Sequence, residues 1–325
     1  MSTFRAFRVE EKDGTFPRQI RDVSFDSLPG NAVTVRVVYS ALNYKDALSA
    51  TGNRGVTKTY PHTPGIDASG VVTESKDSRF KPGDEVIVTS YDLGMNTPGG
   101  FAEYIRVPVE WVVPLPEGLS LREGMILGTA GLTAAMCIEA LEENSLTSPV
   151  LVTGSSGAVG SIAVALLTKL GYDVVASTGS EESHDLLKKL GAKQIIHRSD
   201  LSQPNDKPML KPLYGGAVDT VGGDTLVNVV KSLQPGSSVA ACGLVGGVNL
   251  NLTIYPFILR NVSLLGIDSQ NYAMAKREAL WNKLGDEWKV ALEPLTTEIG
   301  LEELDSAIGQ ILQGKTKGHV LVKIS

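Results

Sequence analysis

Residues 150–161, VLVTGSSGAVGS, constrain the fold of this chain more than any other stretch. Val150-Leu151-Val152-Thr153 is an uninterrupted apolar run, the pattern of a strand buried on both faces. Gly154, Gly157 and Gly160 follow, and Ile162, Ala163, Leu166, Leu167 and Leu170 then recur at helical spacing. Gly171 stops that helix, and Asp173-Val174-Val175-Ala176 reads as the next strand. Strand, glycine turn, helix, strand is the unit that seats a pyrophosphate on a helix N-terminus. Counting back from Gly160, the fingerprint positions are Ser155, Gly157 and Gly160, so a serine stands first. A glycine pattern alone is weak, because loops are rich in glycine; the flanking strand and helix give it weight. The expected contacts to a dinucleotide from this stretch are Ser155, Gly157, Ala158, Val159, Gly160 and Ser161.

At 325 residues the chain has room for two domains with full cores. The net charge of −6 comes without a basic block, which argues against nucleic acid. The two cysteines, Cys137 and Cys242, lie in apolar surroundings, which favours reduced thiols and a cytoplasmic protein. No apolar run reads as long enough to span a membrane, and the N-terminal MSTFRAFRVEEKDG lacks a signal-peptide core.

Residues 1–119 read as mostly β, with strand candidates at 32–39, 68–72 and 84–88 and Pro-Gly turns between them. Many short strands with such turns suggest a barrel-like domain. Ser120-Leu121-Arg122-Glu123 is a capping box, and Ala130 to Glu143 reads as helix. From 150 to 269 strands and helices alternate, and six strands fit a doubly wound parallel sheet. Residues 199–213 read as surface loop. Two further helix candidates, 273–288 and 301–313, precede a last strand, His319 to Ile324, that is free to return to the first domain.

LNYKDAL (42–48), PGIDASG (64–70), GTAGLTA (128–134), VLVTGSSGAVGS, ACGLVGG (241–247) and PFILRNVSLLGIDS (256–269) follow one another in order. Together they resemble the medium-chain dehydrogenase/reductase superfamily, most closely its zinc-free acrylyl-CoA reductase and quinone-oxidoreductase-like branch. The resemblance covers essentially the whole chain. It implies an α/β protein in which a GroES-like β-barrel domain (1–121 and 270–325) accompanies a Rossmann domain (122–269), with NADPH as hydride donor. Zinc-dependent relatives place Cys and His-Glu ligands where this chain has Tyr44-Lys45 and Ile66-Asp67, so no metal is expected. A lone loop histidine, His62, reads as surface.

After Val174-Val175-Ala176 a ribose-binding acid would select NADH; the chain instead has Ser177-Thr178-Gly179-Ser180. The missing acid admits a 2′-phosphate, and Arg198 is the nearest cation for it, or else an ordinary solvated residue. Gly243, Leu244, Ile267 and Asp268 occupy strand ends that should face the nicotinamide, with Asp268 equally readable as a helix N-cap. Thr129 would approach from below. By the resemblance, LNYKD carries the chemistry: Asn43 offers amide donors and Tyr44 a hydroxyl that supports the carbonyl oxygen or gives the proton. Lys45 would lower the Tyr44 pKa, or be a surface lysine. Asp67 would orient Lys45 or Tyr44, or cap a turn; for Tyr44 the alternative is packing. Arg54 and Lys58, in a loop, and Arg260, in the PFILR helix, are candidate contacts to coenzyme A phosphates; for Arg54 and Lys58 the alternative is loop charges facing water.

The reading is an NADPH-dependent reductase of the carbon–carbon double bond of a short enoyl-CoA, acrylyl-CoA to propanoyl-CoA. The alternatives are an NADPH quinone or alkenal reductase and, lower, a non-catalytic NADPH-binding redox sensor. A homodimer joined along Ser263–Ile267 is expected, because an apolar edge strand needs covering.

Overall fold

The apolar run at 150 forms the strand Val150–Val152, with every residue buried. In the computed structural model, which describes residues 2–291 and 293–325, this strand is central in a six-stranded parallel sheet. Val174–Thr178 flanks it on one side and Gly216–Asp219 on the other. Beyond these lie Gln194–His197 at one edge, and Ser238–Ala241 then Ser263–Gly266 at the other. The strand order therefore reverses at Val150–Val152, which creates the switch point where such sheets bind ligands. Helix Ala158–Lys169 buries eight of its residues, from Gly160 through Leu167, consistent with an apolar surface too wide for solvent. The 199–213 stretch contains one short helix, Ser199–Ser202, and is otherwise irregular. Buried Asn228 and Lys231 hold it by donating to the carbonyls of Leu201, Gln203 and Asn205.

The second sheet has seven strands, six of them on one path in the order Thr296–Gly300, His319–Lys323, Val33–Leu42, Asp67–Ser75, Glu85–Thr89, Val112–Pro114, and the seventh, Tyr104–Val107, pairing Val33–Leu42 off that path. The late strand His319–Lys323 does return to the first domain. It runs antiparallel to Val33–Leu42 and parallel to Thr296–Gly300. Thr296–Gly300 has no counterpart in the sequence reading. It is polar and half-exposed, the character of an edge strand. A separate hairpin pairs Thr3–Val9 with Arg18–Ser24.

Two units result: residues through Thr129 with Gln270–Gly285 and Thr296–Ser325, and Ala130–Ser269 with Asp286–Leu295. The division thus falls after Thr129, not at 121/122, and residues 286–295 group with the nucleotide-type sheet. The capping box is present, with Ser120 N–H donating to Glu123 Oε2 at 2.9 Å and Glu123 N–H to Ser120 Oγ at 3.2 Å. It starts one helix, Leu121–Glu142, bent at Gly128. That helix is long and apolar enough to cross a membrane by length and composition, contrary to the sequence expectation. Yet 83% of its most apolar window is buried within the protein, which makes it a core helix.

Candidate active site

In the second unit the helix Ala158–Lys169 starts at Gly157, whose missing side chain gives no cap. The first-turn N–H groups of Ala158, Val159 and Gly160 therefore have no intrahelical acceptor and point at whatever fills the turn. Gly160 is pressed against the Gly154 carbonyl, where any Cβ would collide. A cavity of about 460 Å³ opens beside this turn. Thr153, Gly154 and Ser156 form one wall, Ser177, Thr178 and Gly179 another, and Arg198 a third. The Arg198 side chain lies so close over Gly179 that a Cβ there would stand 2.5 Å from its Nε. A guanidinium beside two hydroxyls and a neutral turn suits a phosphate monoester on a ribose.

Three expectations change here. Ser155 is fully buried, and its hydroxyl donates to the Ser177 carbonyl at 2.9 Å, so it ties the turn to the neighbouring strand. The residue that lines the cavity is Ser156, hydrogen-bonded to Thr178 Oγ1 at 3.1 Å. Ser180 Oγ accepts from the Ser183 hydroxyl at 3.0 Å and is not in the cavity wall. Ser161 is likewise buried, and its hydroxyl donates to the Ala158 carbonyl within its own helix. Gly243 and Leu244 follow Ser238–Ala241, and Ile267 and Asp268 follow Ser263–Gly266, so all four lie at carboxyl ends of strands. Val245, at the same strand end as Gly243 and Leu244, and Gly246 after it join the cavity wall.

In the first unit Asn43 ends a strand and begins the helix Tyr44–Ala50. Asp67 is fully buried and accepts three hydrogen bonds: Asn43 Nδ2–H at 2.8 Å, Thr129 N–H at 2.9 Å and Thr129 Oγ1–H at 2.6 Å. Burial raises its pKa, and these donors oppose the rise. Asp67 therefore orients Asn43 and Thr129, not Lys45 or Tyr44. Lys45 Nζ donates to Gln270 Oε1 at 2.9 Å, and Tyr44 is 39% exposed, its hydroxyl without a partner among the described residues. Thr129 sits under Asp67, its own hydroxyl meeting Ser90 Oγ at 2.9 Å.

The turn that lets Thr129 reach Asp67 is Gly128, at φ 50° and ψ −153° inside the helix. A Cβ on it would stand 2.7 Å from Asp67 Oδ2 and 3.3 Å from His319 Cε1. His319 and Asp46 complete the buried cluster; the sequence reading gave neither a site role, placing His319 only at the start of the last strand. His319 is buried, its Nδ1 bonded to the Ile126 carbonyl at 2.5 Å, and burial pushes its pKa down. Asp46 is pushed up to about 7 by burial, against the pull of the Asn43, Ile66 and Gly65 N–H donors. The only early signal was an acid four residues from a strand end in LNYKDAL. His62 is not a surface residue: it is buried, bonds the Gly94 carbonyl at 2.9 Å, and burial lowers its pKa to about 4.

The phosphate cations fare poorly. Arg54 pairs with Glu11, donates to the Lys58 carbonyl at 2.7 Å and lies over the Phe16 and Tyr60 rings. Arg260 belongs to the second unit and spends its guanidinium on the carbonyls of Lys231, Leu233 and Leu210. Lys58 is exposed.

No group of three or more His, Cys, Asp or Glu side chains gathers as a metal set among the described residues. Asp67, at a position where zinc-dependent relatives carry a ligand, is surrounded by hydrogen-bond donors, which fit a carboxylate and not a cation.

Residues 29–117 match the family described as alcohol dehydrogenase GroES-like domain, and residues 158–283 match the one described as zinc-binding dehydrogenase. The chain is 46% identical to "Putative quinone oxidoreductase YhfP" of Bacillus subtilis over all of both chains. It is 42% identical to "Acrylyl-CoA reductase AcuI" of Ruegeria pomeroyi, covering 97% of each. The yhdH oxidoreductase of Salmonella enterica, solved in complex with NADP, superposes with a TM-score of 0.96 at 43% identity over 99% of this chain and 100% of that one. The Bacillus subtilis protein, solved with NAD bound, superposes equally well, at 0.96 and 45% identity over 99% and 100%.

Proposed function

Since the chain belongs to the medium-chain dehydrogenase/reductase superfamily, in the branch of acrylyl-CoA reductases and quinone-oxidoreductase-like proteins, with a GroES-like β domain and a Rossmann domain, we propose that it is an NADPH-dependent reductase of a short enoyl-CoA, acrylyl-CoA to propanoyl-CoA. The observation that carries this reading is the 42% identity to an acrylyl-CoA reductase across nearly all of both chains. Bound NADPH would supply the hydride. The N–H groups of Ala158, Val159 and Gly160 would hold its pyrophosphate, and Arg198 with Ser177 and Thr178 its 2′-phosphate. Arg198 over Gly179 supports NADPH over NADH, and no acid stands in the Ser177–Ser180 turn.

Reducing a conjugated thioester puts negative charge on the carbonyl oxygen and a proton on the α-carbon. Both Asn43 amide hydrogens have acceptors, Asp67 Oδ2 at 2.8 Å and the Ala41 carbonyl at 3.4 Å. Asn43 therefore acts as a positioning residue for the start of its helix. Tyr44, 39% exposed and with no hydroxyl partner among the described residues, is the group we assign to oxygen support or proton delivery.

A second reading, reduction of a quinone, has two supports: the 46% identity to the Bacillus subtilis protein, and the internal engagement of Arg54 and Arg260, which leaves fewer cations for coenzyme A. NADPH oxidation is to be measured with acrylyl-CoA and with a quinone, for the wild type and Tyr44→Phe. Turnover of acrylyl-CoA, lowered roughly 10²-fold in kcat by Tyr44→Phe, is the expected result. Turnover of the quinone alone would give the second reading, and full activity of Tyr44→Phe would reduce Tyr44 to packing.

A further inference from the structure

The two strands of the hairpin Thr3–Val9 and Arg18–Ser24 carry four arginines, and three of them face an acid. Arg5 pairs with Glu302, Arg18 with Asp305 at 2.7 Å and Arg21 with Glu10 at 3.4 Å. Arg8 has no carboxylate partner among the described residues. Its strand is covered on both sides, with Phe4 and Ala6 buried on one face and Phe7 and Val9 on the other. Alternation along the strand puts Arg8 on the face of Phe4 and Ala6, which form a small apolar cluster with Leu28 and Ala102. The guanidinium finds only neutral oxygens, Thr63 Oγ1 and the Pro61 carbonyl, each at the long distance of 3.3 Å. Most of its N–H donors are left over. Burial lowers the Arg8 pKa, and the Glu10 charge opposes that. A cation partly removed from water with no counter-charge in contact is a cost that a bound anion would offset.

A cavity of about 160 Å³ opens beside Arg8, within the first unit. Phe4 and Leu28 give it an apolar wall, and Arg8, Ser27, Thr63 and Tyr104 bring polar atoms to it. The Phe4 and Tyr104 rings meet edge to face at 5.8 Å, which fixes that wall. Ser27 spends its hydroxyl hydrogen on the Ser24 carbonyl at 2.7 Å. Thr63 is only 2% exposed, and its hydroxyl accepts from Arg8 while its own hydrogen has no acceptor among the described residues. The Tyr104 hydroxyl has no partner among them either. No Asp or Glu lines the space. Spare donors beside an aromatic wall call for a group that only accepts, carries negative charge and has an apolar body.

We propose that this cavity is a binding site for a small monocarboxylate with a compact apolar body, its carboxylate on the Arg8 fork and its body against Phe4, Leu28 and Tyr104. The planar fork matches a carboxylate with two parallel hydrogen bonds. The Thr63 and Tyr104 hydroxyls supply donors for the remaining lone pairs. A cavity of about 150 Å³ suffices for a benzene ring, so benzoate has a suitable size. An inorganic anion would satisfy the guanidinium but leave the aromatic wall unfilled. None of these residues has a part in the cofactor or substrate reading above, so the site stands or falls apart from it.

The test is an NMR titration of the whole protein with benzoate, with benzamide and with sulfate at matched ionic strength. The expected result is one benzoate per chain with a dissociation constant of about 1 mM or below, and benzamide and sulfate each weaker by about 10-fold or more. Arg8→Met keeps the apolar stem and removes the fork, and should weaken benzoate by about 10-fold or more. Tyr104→Phe keeps the ring and should weaken it by about 3-fold. Arg198→Ala should leave benzoate binding as in the wild type. No benzoate binding up to about 20 mM, or benzamide binding as tightly, would overturn the site. Sulfate binding as tightly would overturn the carboxylate assignment, and benzoate binding unchanged in a folded Arg8→Met or lost in Arg198→Ala would overturn the location. The benzamide and sulfate comparisons use the wild type alone, so they decide the matter whether or not Arg8→Met folds.

Discussion

Asn43 illustrates a limit set by hydrogen atoms. In LNYKD an amide beside a tyrosine is easy to recognise as a donor for a developing oxyanion, but its two hydrogens are already engaged by Asp67 and Ala41. Nothing in the local sequence announces an acceptor that lies 24 residues away. The same accounting removes Arg54, engaged by distant Glu11 and by the nearby Lys58 carbonyl, and Arg260, whose acceptors are distant carbonyls. Arg198 runs the other way. At the end of the third strand it reads as a cation for a 2′-phosphate or as an ordinary solvated residue, and its side chain lies over Gly179 in the cavity wall. Arg198→Ala should therefore raise the NADPH dissociation constant by about 10-fold or more while leaving that for NADH nearly unchanged, since a charge-assisted phosphate contact carries roughly 1.5–3 kcal/mol. Titration of both cofactors against both proteins checks this; an equal change in the two would show Arg198 to be structural.

At the scale of elements, periodicity served the buried parallel strands well, because a strand covered on both faces must be apolar throughout. It served the long helix less well. The capping box at Ser120 and the helix from Ala130 were both read, yet their continuity through Gly128 was not. The bend is dictated by Asp67 and His319, which no window around residue 128 contains. Thr296–Gly300 escaped for the opposite reason: an edge strand with Glu298 paired to Arg122 at 2.9 Å lacks an apolar stripe. The bend yields a specific expectation. Gly128→Ala places a methyl against Asp67 Oδ2 in a backbone conformation that L-residues avoid, and should cost about 2 kcal/mol or more of stability. Urea denaturation with an unchanged m-value and a lower midpoint is the expected record. A wild-type midpoint would mean that the bend relaxes freely.

For the whole molecule, the two-sheet plan could be anticipated from the change of pattern after residue 119, whereas the assignment of 286–295 could not, since it depends on packing. Ser263–Gly266 does lie at a sheet edge, as an interface strand must. On the same unit Val248, Ile254, Ile258 and Leu259 are all at least 60% exposed. Exposed apolar side chains beside an open edge argue for a second copy covering both. Light scattering at micromolar concentration should give twice the 34.5 kDa of one chain. A monomeric mass would leave the edge bare and refute the pairing. The position of His319–Lys323 between Val33–Leu42 and Thr296–Gly300 has its own consequence for how the protein is born. On the ribosome, Tyr104–Val107 can cover Val33–Arg36 early, whereas Tyr39–Leu42 waits for its partner while the entire nucleotide-type sheet is made. Only when the last strand leaves the exit tunnel can that stretch pair. Until then the nascent chain carries an unpaired strand edge, the kind that templates off-pathway pairing.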